Sequence, residues 1–426
     1  MPDQPEVPID PPAASAKQLL THSRVQSFKT CRKRHWWEYE IGLRSAVDAK
    51  ALRMGSAGHD GLDVLKLGRG IEAAVATVRD HYRRAPEAID QYDWNIERET
   101  VECLIRGYYW RWKESLMAIV VSEQTLRAPL RNPLTGAAST LWELAGKVDG
   151  IARLEDTRLA VLEHKFIGES IEQDSDYWRR LQLDSQPTTY VHLARQNGHD
   201  VSTVLYDLIR KPTIKPERIP LRDDDGFKIV LDAFSRRVMT KQDKPRQTGS
   251  NADGYVLQTR PMTPLEWGGK LLKDIGERPG FYYARHEIAR LDQDVDECLR
   301  ELWDIQKTLR DAQRANRWYR TVGRDSCPWC PWFGLCSSKY DPANNSGIPE
   351  GFVAAHTGAR TTRNQLIQIR AVVKDLIVFF DFVDYRQGSK PVQPMHEHAA
   401  FLPSRNLSGA DSEQPGFSFL TGQLSN

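Results

Sequence analysis

Apolar residues recur every three or four positions from Val25 through Phe28 to Cys31, behind Ser23 and Gln26 at capping-box spacing, which predicts a helix starting at Ser23. The same period runs through residues 71–120. Around 141–166 it changes to two: "LWELAGKVDGIARL", a polar "EDT", then "RLAVLEHKFIG" predict paired strands joined by a turn centred on Asp156. "DYWRRLQLDSQPTTYVHLARQNG" reads as helix again, ending at Asn197-Gly198, and "VSTVLYDLIRKP" as a strand closed by Pro212. Residues 213–280, rich in Pro, Gly and charge, read as an insertion or long loops. "HEIARLDQDVDECLRELWDIQKTLRDAQRANRW" predicts one long amphipathic helix leading to Cys327. The alternation of strands and helices indicates an α/β core within residues 19–340. Disorder is expected over 1–18, and a tail over 341–426 with one helix near 361–385. No internal repeat is evident.

Composition narrows the class without naming it. The 426 residues carry 59 Lys and Arg against 57 Asp and Glu, a formal charge of +2. A nucleic-acid partner would therefore need a local basic groove. The acidic, Pro-rich start "MPDQPEVPIDPPAASAK" does not read as a signal peptide. The longest apolar run, "DLIVFFDF", is too short and too charged to span a membrane. Six unevenly placed cysteines do not read as a disulfide framework, so a soluble, cytoplasmic protein of a bacterium or a phage-infected host is expected. No Gly-rich phosphate loop is present, which argues against a built-in ATP motor.

The hairpin at 141–166 carries the densest chemistry. A turn centred on Asp156 sets Asp149 opposite Glu163, and Lys165 shares a strand face with Glu163. Two carboxylates and an ammonium on one face are costly unless a cation sits among them. Hard carboxylate oxygens suit magnesium or manganese. A two-ion site could activate water and stabilise the leaving oxygen of a phosphodiester, with the lysine orienting that water or offsetting charge on the phosphate. The plainer reading is an exposed cross-strand charge pair, but "GKVDGI" and "LAVL" are buried-strand contexts where free charge is rare.

The decapeptide "CPWCPWFGLC" supplies three thiols, Cys327, Cys330 and Cys336, one short of a four-ligand site. Cys31, Cys103, Cys298 and His35 are candidates for the fourth. Cys103 and Cys298 lie in amphipathic helical stretches, where cysteine serves as a small apolar residue. Thiolates suit zinc and iron–sulfur clusters alike.

"GKVDGI" followed by "LAVLEHK" resembles motifs II and III of the PD-(D/E)xK nucleases, in their RecB-like branch. "MGSAGHDGLD" resembles the branch's G-x(n)-H motif and "QPTTY" its Q-x3-Y motif, in the same order. The resemblance implies a restriction-endonuclease-like core, a mixed sheet flanked by helices. It implies His59, Asp149, Glu163 and the backbone carbonyl of His164 as ligands of one or two Mg2+ or Mn2+ ions. Lys165 would be the catalytic lysine, and Gln186 and Tyr190 would position DNA or support the site. Glu123, in "VVSEQTL", is a further acidic candidate.

Cys31 ahead of the core with three cysteines after it resembles the iron–sulfur staple of AddB-type and CRISPR-adaptation nucleases. That implies a 4Fe-4S cluster on Cys31, Cys327, Cys330 and Cys336, joining the two ends of the core. A zinc knuckle using His35 is the alternative. Trp329, Trp332 and Phe333 are candidates to shield the cluster. Arg32, Lys33 and Arg34, with Arg210, Lys211 and Lys215, are candidates to meet phosphates. Trp36, Trp37 and Tyr39 would either stack bases or pack as core. The expected function is an exonuclease acting on single-stranded DNA or DNA ends in recombination and repair, phage replication or CRISPR adaptation, working with a helicase or another protein of such a complex. A non-catalytic DNA-binding iron–sulfur adaptor and a structure-specific endonuclease remain open. Nothing in the sequence fixes the oligomeric state, and no membrane partner is expected.

Overall fold

A computed structural model of the chain describes residues 17–354 except Leu116, Asp325, Ala343, Asn345 and Ser346. They belong to the first of two units, Met1–Arg363; the second, Asn364–Asn426, lies outside the described residues. So do residues 1–16, expected to be disordered, and the helix expected near 361–385.

The first element among the described residues is β1 (Gln18–Leu20). Helix α1 (His22–Thr30) is capped by Thr21, whose hydroxyl accepts the Arg24 N–H at 3.3 Å, and not by Ser23. Cys31 is extended, at φ −163° and ψ 119°, and ends the helix that periodicity alone carried through it. A short α2 (Arg32–His35), a π-helical turn over Trp36–Glu40 and β2 (Leu43–Ser45) follow. The helical stretch expected over 71–120 is broken. α3 (Lys50–Lys66) precedes α4 (Ile71–His81) and α5 (Gln91–Trp112), with Pro86 in the α4–α5 link, and the chain then enters β3 (Ala118–Val121).

Strands β5 (Ala138–Val148), β6 (Gly150–Arg153) and β7 (Leu159–Ile167) occupy the predicted strand region, and β4 (Gln124–Arg131) precedes them without a prediction. The helix expected from Asp176 to Gln196 is two, α6 (Asp176–Leu181) and α7 (Ser185–Gln196), and β8 (Val201–Arg210) follows. The central sheet has the order β13-β8-β7-β6-β3, where β13 is Tyr283–Ala289. Its β7 and β8 run parallel, joined through α6 and α7, and the other pairs are antiparallel. A second sheet, β1-β5-β4, shares the chain with the first: β5 belongs to one, β6 to the other, and Asp149 is the residue between them. One apolar cluster joins Val161, Val204 and Leu208 to Val191 and Leu193 of α7; another joins Ile209 to Met54 and Leu62 of α3 and Leu104 of α5.

Between β8 and β13 the chain is more ordered than loops. It holds β9 (Arg218–Pro220), β10 (Val230–Leu231), β11 (Val256–Leu257), β12 (Thr259–Pro261), α8 (Pro264–Glu277) and α9 (Pro279–Tyr282). Thr263 and Glu266 form a capping box on α8, and Trp267, Leu271 and Ile275 bury its apolar stripe. The segment also contains a repeat the sequence did not disclose. Turns at Asp223, Asp232 and Thr240 use one geometry: each N–H reaches the carbonyl four residues on, at 3.0, 2.9 and 2.8 Å. Each side-chain oxygen accepts the N–H of that same residue. Gly226, Ser235 and Asp243 take the positive φ that each turn requires.

"HEIA" also departs from expectation. It belongs to β13, paired with β8, and the long helix α10 (Asp292–Ala315) begins only after Leu291, whose N–H is taken by Asp294 at 2.8 Å. The cysteine-rich segment contributes α11 (Phe333–Ser337), and β14 (Phe352–Ala354) returns to pair with β2. Among the described residues no helix is long and apolar enough to cross a membrane.

Candidate active site

The β6–β7 register pairs Gly150 with Leu162, so the next rung sets Asp149 beside Glu163, as the three-residue turn predicted. The His164 N–H donates to Asp149 Oδ2 at 2.8 Å, and His59 Nδ1 lies 3.2 Å from Asp149 Oδ1. Lys66, about two turns along α3 from His59, donates to the Asp149 carbonyl. Gly58 lets α3 approach this closely, because a Cβ there would lie 2.1 Å from Phe166 Cζ.

Glu163 and Lys165 share a strand face, and Lys165 Nζ lies 3.0 Å from Glu163 Oε1. It also lies 3.2 Å from Asp184 Oδ2 and donates to Gln186 Oε1 at 3.1 Å. Gln186 Nε2 in turn donates to the Tyr190 hydroxyl at 3.1 Å. Pro187 falls in the first turn of α7, where its missing N–H has no intrahelical partner to lose. Tyr190 has room because position 146 is glycine: a Cβ there would lie 2.4 Å from Tyr190 Cε1. Gly146→Ala should therefore destabilise the protein by about 1–3 kcal/mol in urea unfolding, through overpacking against that ring.

The charges respond to burial and to one another. Burial opposes ionisation of Asp149, but the His59 hydrogen bond and charge outweigh it and hold the carboxyl at about 2. Burial likewise disfavours protonated His59, and Asp149 reverses this and raises its pKa. Glu163 is only 3% exposed; burial, with the charge of Asp149 adding to it, pushes its carboxyl up to about 7 despite Lys165. Lys165 is raised, because Glu163 and Asp184 overcome its desolvation, so it stays charged. The His164 ring, on the opposite strand face, is driven well below the usual histidine range by burial. Beneath it the fully buried Asp207 of β8 accepts the Tyr108 hydroxyl at 2.6 Å and forms an ion pair with Arg285 at 3.0 Å, tying α5 and β13 to the sheet.

His59, Asp149, Glu163 and the His164 carbonyl are the donors this corner offers to a hard cation. As they stand, the carboxylates are turned to His59 and Lys165. Among the described residues no three His, Cys, Asp or Glu side chains converge on a point that could hold a single metal ion. Glu123 lies between β3 and β4, one residue before the strand that pairs Gln124 with Val148, and forms an ion pair with Lys147.

The other cysteines divide as their contexts suggested. Cys103 and Cys298 are buried in the two cores. Cys31, Cys327, Cys330 and Cys336 are free thiols lining one cavity of about 240 Å³, with Arg34, Trp332 and Phe333. The Thr321 N–H donates to Cys31 Sγ at 3.3 Å. His35 does not line this cavity. It is fully buried, stacked between Tyr39 and Trp318, and its Nε2 accepts from Arg24. Trp329 is 85% exposed, so any shielding falls to Trp332 and Phe333.

Several of the cations proposed for phosphate have internal partners: Arg32 lies over Phe28 and Tyr319, Lys33 lies 3.4 Å above Trp36, and Arg210 lies 3.9 Å above Phe281. Trp37 is core. Sequence reading missed Asp184, Lys66 and Gly146. Asp184 left one trace, an Asp directly ahead of a first-turn "SQP", where a helix N-cap is expected.

The PD-(D/E)XK nuclease superfamily model matches residues 19–337. Among solved structures, a candidate exonuclease from Eubacterium rectale resembles the chain at 13% identity and a TM-score of 0.31, over 71% of this chain and 89% of that one. No curated protein matches. The family match runs from within β1 to the last residue of α11 and holds Asp149, Glu163 and Lys165 inside it, so the chain belongs to the PD-(D/E)XK nuclease superfamily.

Proposed function

We propose that the protein is a metal-dependent exonuclease that hydrolyses phosphodiester bonds of single-stranded DNA or DNA ends. The observation that carries this reading is the meeting of Asp149, Glu163 and Lys165 at the β6–β7 hairpin, with His59 3.2 Å from Asp149. The donor set is mainly hard oxygen and suits Mg2+ or Mn2+. When bound, such ions lower the pKa of an attacking water and stabilise the leaving oxygen.

The protein's own groups do the rest. Asp149 is fixed by the His164 N–H and His59, so one carboxylate is oriented before any ion arrives. Lys165, charged and pinned by Gln186, directs the attacking water or offsets charge on the phosphate. Tyr190 holds Gln186, so the pair keeps the lysine aimed while the strand is bound.

We propose that the four thiols lining the 240 Å³ cavity hold a 4Fe-4S cluster, with zinc as the alternative, since thiolates suit both. We assign the cluster a structural role, holding the segment after α1 to the segment after α10.

Linear and circular single-stranded DNA, each with Mg2+ or Mn2+, test the activity. Linear substrate should be digested and circles should survive. Cut circles would make the protein an endonuclease, and inert wild-type protein would leave the DNA-binding adaptor.

A further inference from the structure

We infer that Asp184 is a positioning residue that retains Lys165 when Glu163 is given up to a cation, an inference that rests on the site reading above. Lys165 Nζ sits between two carboxylates from different elements, Glu163 Oε1 of β7 at 3.0 Å and Asp184 Oδ2 ahead of α7 at 3.2 Å. All three side chains are largely buried, at 19% exposure for Lys165, 17% for Asp184 and 5% for Glu163.

Glu163, if it held a cation, would have to release the oxygen that Lys165 now holds, and the ammonium would be repelled by the added charge. With one carboxylate, the buried ammonium would lose its counter-charge at the moment it is needed, which is the costly way to break a buried pair. The second carboxylate prevents that. Asp184 is held in place by two hydrogen bonds, one on its carboxylate and one on its carbonyl, the second itself anchored by Arg290. Its Oδ1 accepts the Gln186 N–H at 3.0 Å and its carbonyl accepts the Thr188 hydroxyl at 2.8 Å. That hydroxyl also accepts Arg290 Nε at 2.9 Å. Gln186, bonded to the same ammonium, belongs to the turn that Asp184 caps. Lys165 thus has one carboxylate to release and one to keep.

Asp184→Ser separates charge from capping, since serine is also a good N-cap. Manganese binding to the full chain, by calorimetry without DNA, should weaken about tenfold, because the ion must then strip Lys165 of its last carboxylate. Cleavage at saturating Mn2+ should fall about 10–100-fold with KM for DNA unchanged, the cost of one charged hydrogen bond. The melting temperature should stay near wild type, and Asp184→Glu should recover part of both losses. In a Lys165→Ala background, Asp184→Ser should leave Mn2+ affinity unchanged.

Wild-type affinity and rate in Asp184→Ser would overturn the inference. So would a loss of affinity that persists without Lys165, because Asp184 would then be a ligand itself. Failure of the underlying reading looks different: wild-type protein would not bind Mn2+, or Asp149→Asn would bind it equally well.

Discussion

Replacing Asp149 by asparagine should abolish most cleavage, lowering the single-turnover rate on linear single-stranded DNA by about a thousandfold. The change is isosteric and leaves an oxygen for the His164 N–H, so folding should survive. What it removes is charge. A carboxyl held at about 2 is ionised throughout the working range, and asparagine gives the site a neutral group it never otherwise carries. Losing a cation ligand forfeits several kcal/mol of transition-state stabilisation, and each 1.36 kcal/mol is about a factor of ten in rate. Lys165→Ala should fall comparably, by the distinct route of losing a charged donor held by Glu163, Asp184 and Gln186. Unchanged circular dichroism and unfolding midpoint, measured beside the rates, separate lost chemistry from lost structure.

The second large effect lies away from the chemistry. Cys31→Ala should empty the four-cysteine site of iron and sulfide in anaerobically purified protein. It should also lower the melting temperature by about 10 °C or more, because ligand-bound metal contributes directly to folding. Cys31 stands at the extended break after α1, and the Lys33 N–H reaches the Tyr319 carbonyl at 3.0 Å, so the two segments already meet there. Cys298→Ala, in the core beside Thr189, removes a thiol without touching the cavity and should keep its iron. A local zinc knuckle built on the trio would instead keep its metal content in Cys31→Ala.

What the sequence could and could not reveal follows from the range of each interaction. The Asp149–Glu163 register is set by a short turn and period-two alternation, so it could be read locally. Asp184 could not: its weight comes from a lysine nineteen positions back, brought close only by the β7–α6–α7 path. Cys31 falls on a helical spacing, but spacing records which residues are apolar and not where the backbone turns extended. "HEIA" suits either a half-buried strand or the start of an amphipathic helix, and only the open edge of β8 decides for strand. The turn repeat escaped because its three units share geometry and not identity: Asp, Asp and Thr accept, while Gly, Ser and Asp take positive φ. Resemblance groups Cys31 with Cys327, Cys330 and Cys336, which line one cavity, and His35 lies apart because an aromatic stack buries it elsewhere.

The central claim is that Asp149, Glu163 and Lys165 form a cation-dependent phosphodiesterase site. It is tested most directly by end-labelled linear single-stranded DNA incubated with wild type, Asp149→Asn and Lys165→Ala, each with Mn2+ and with excess chelator. Cleavage should occur with wild type and Mn2+ and be lost, or nearly so, in the other five reactions. Cleavage that survives chelation, or that persists at the wild-type rate in either variant, would contradict the account.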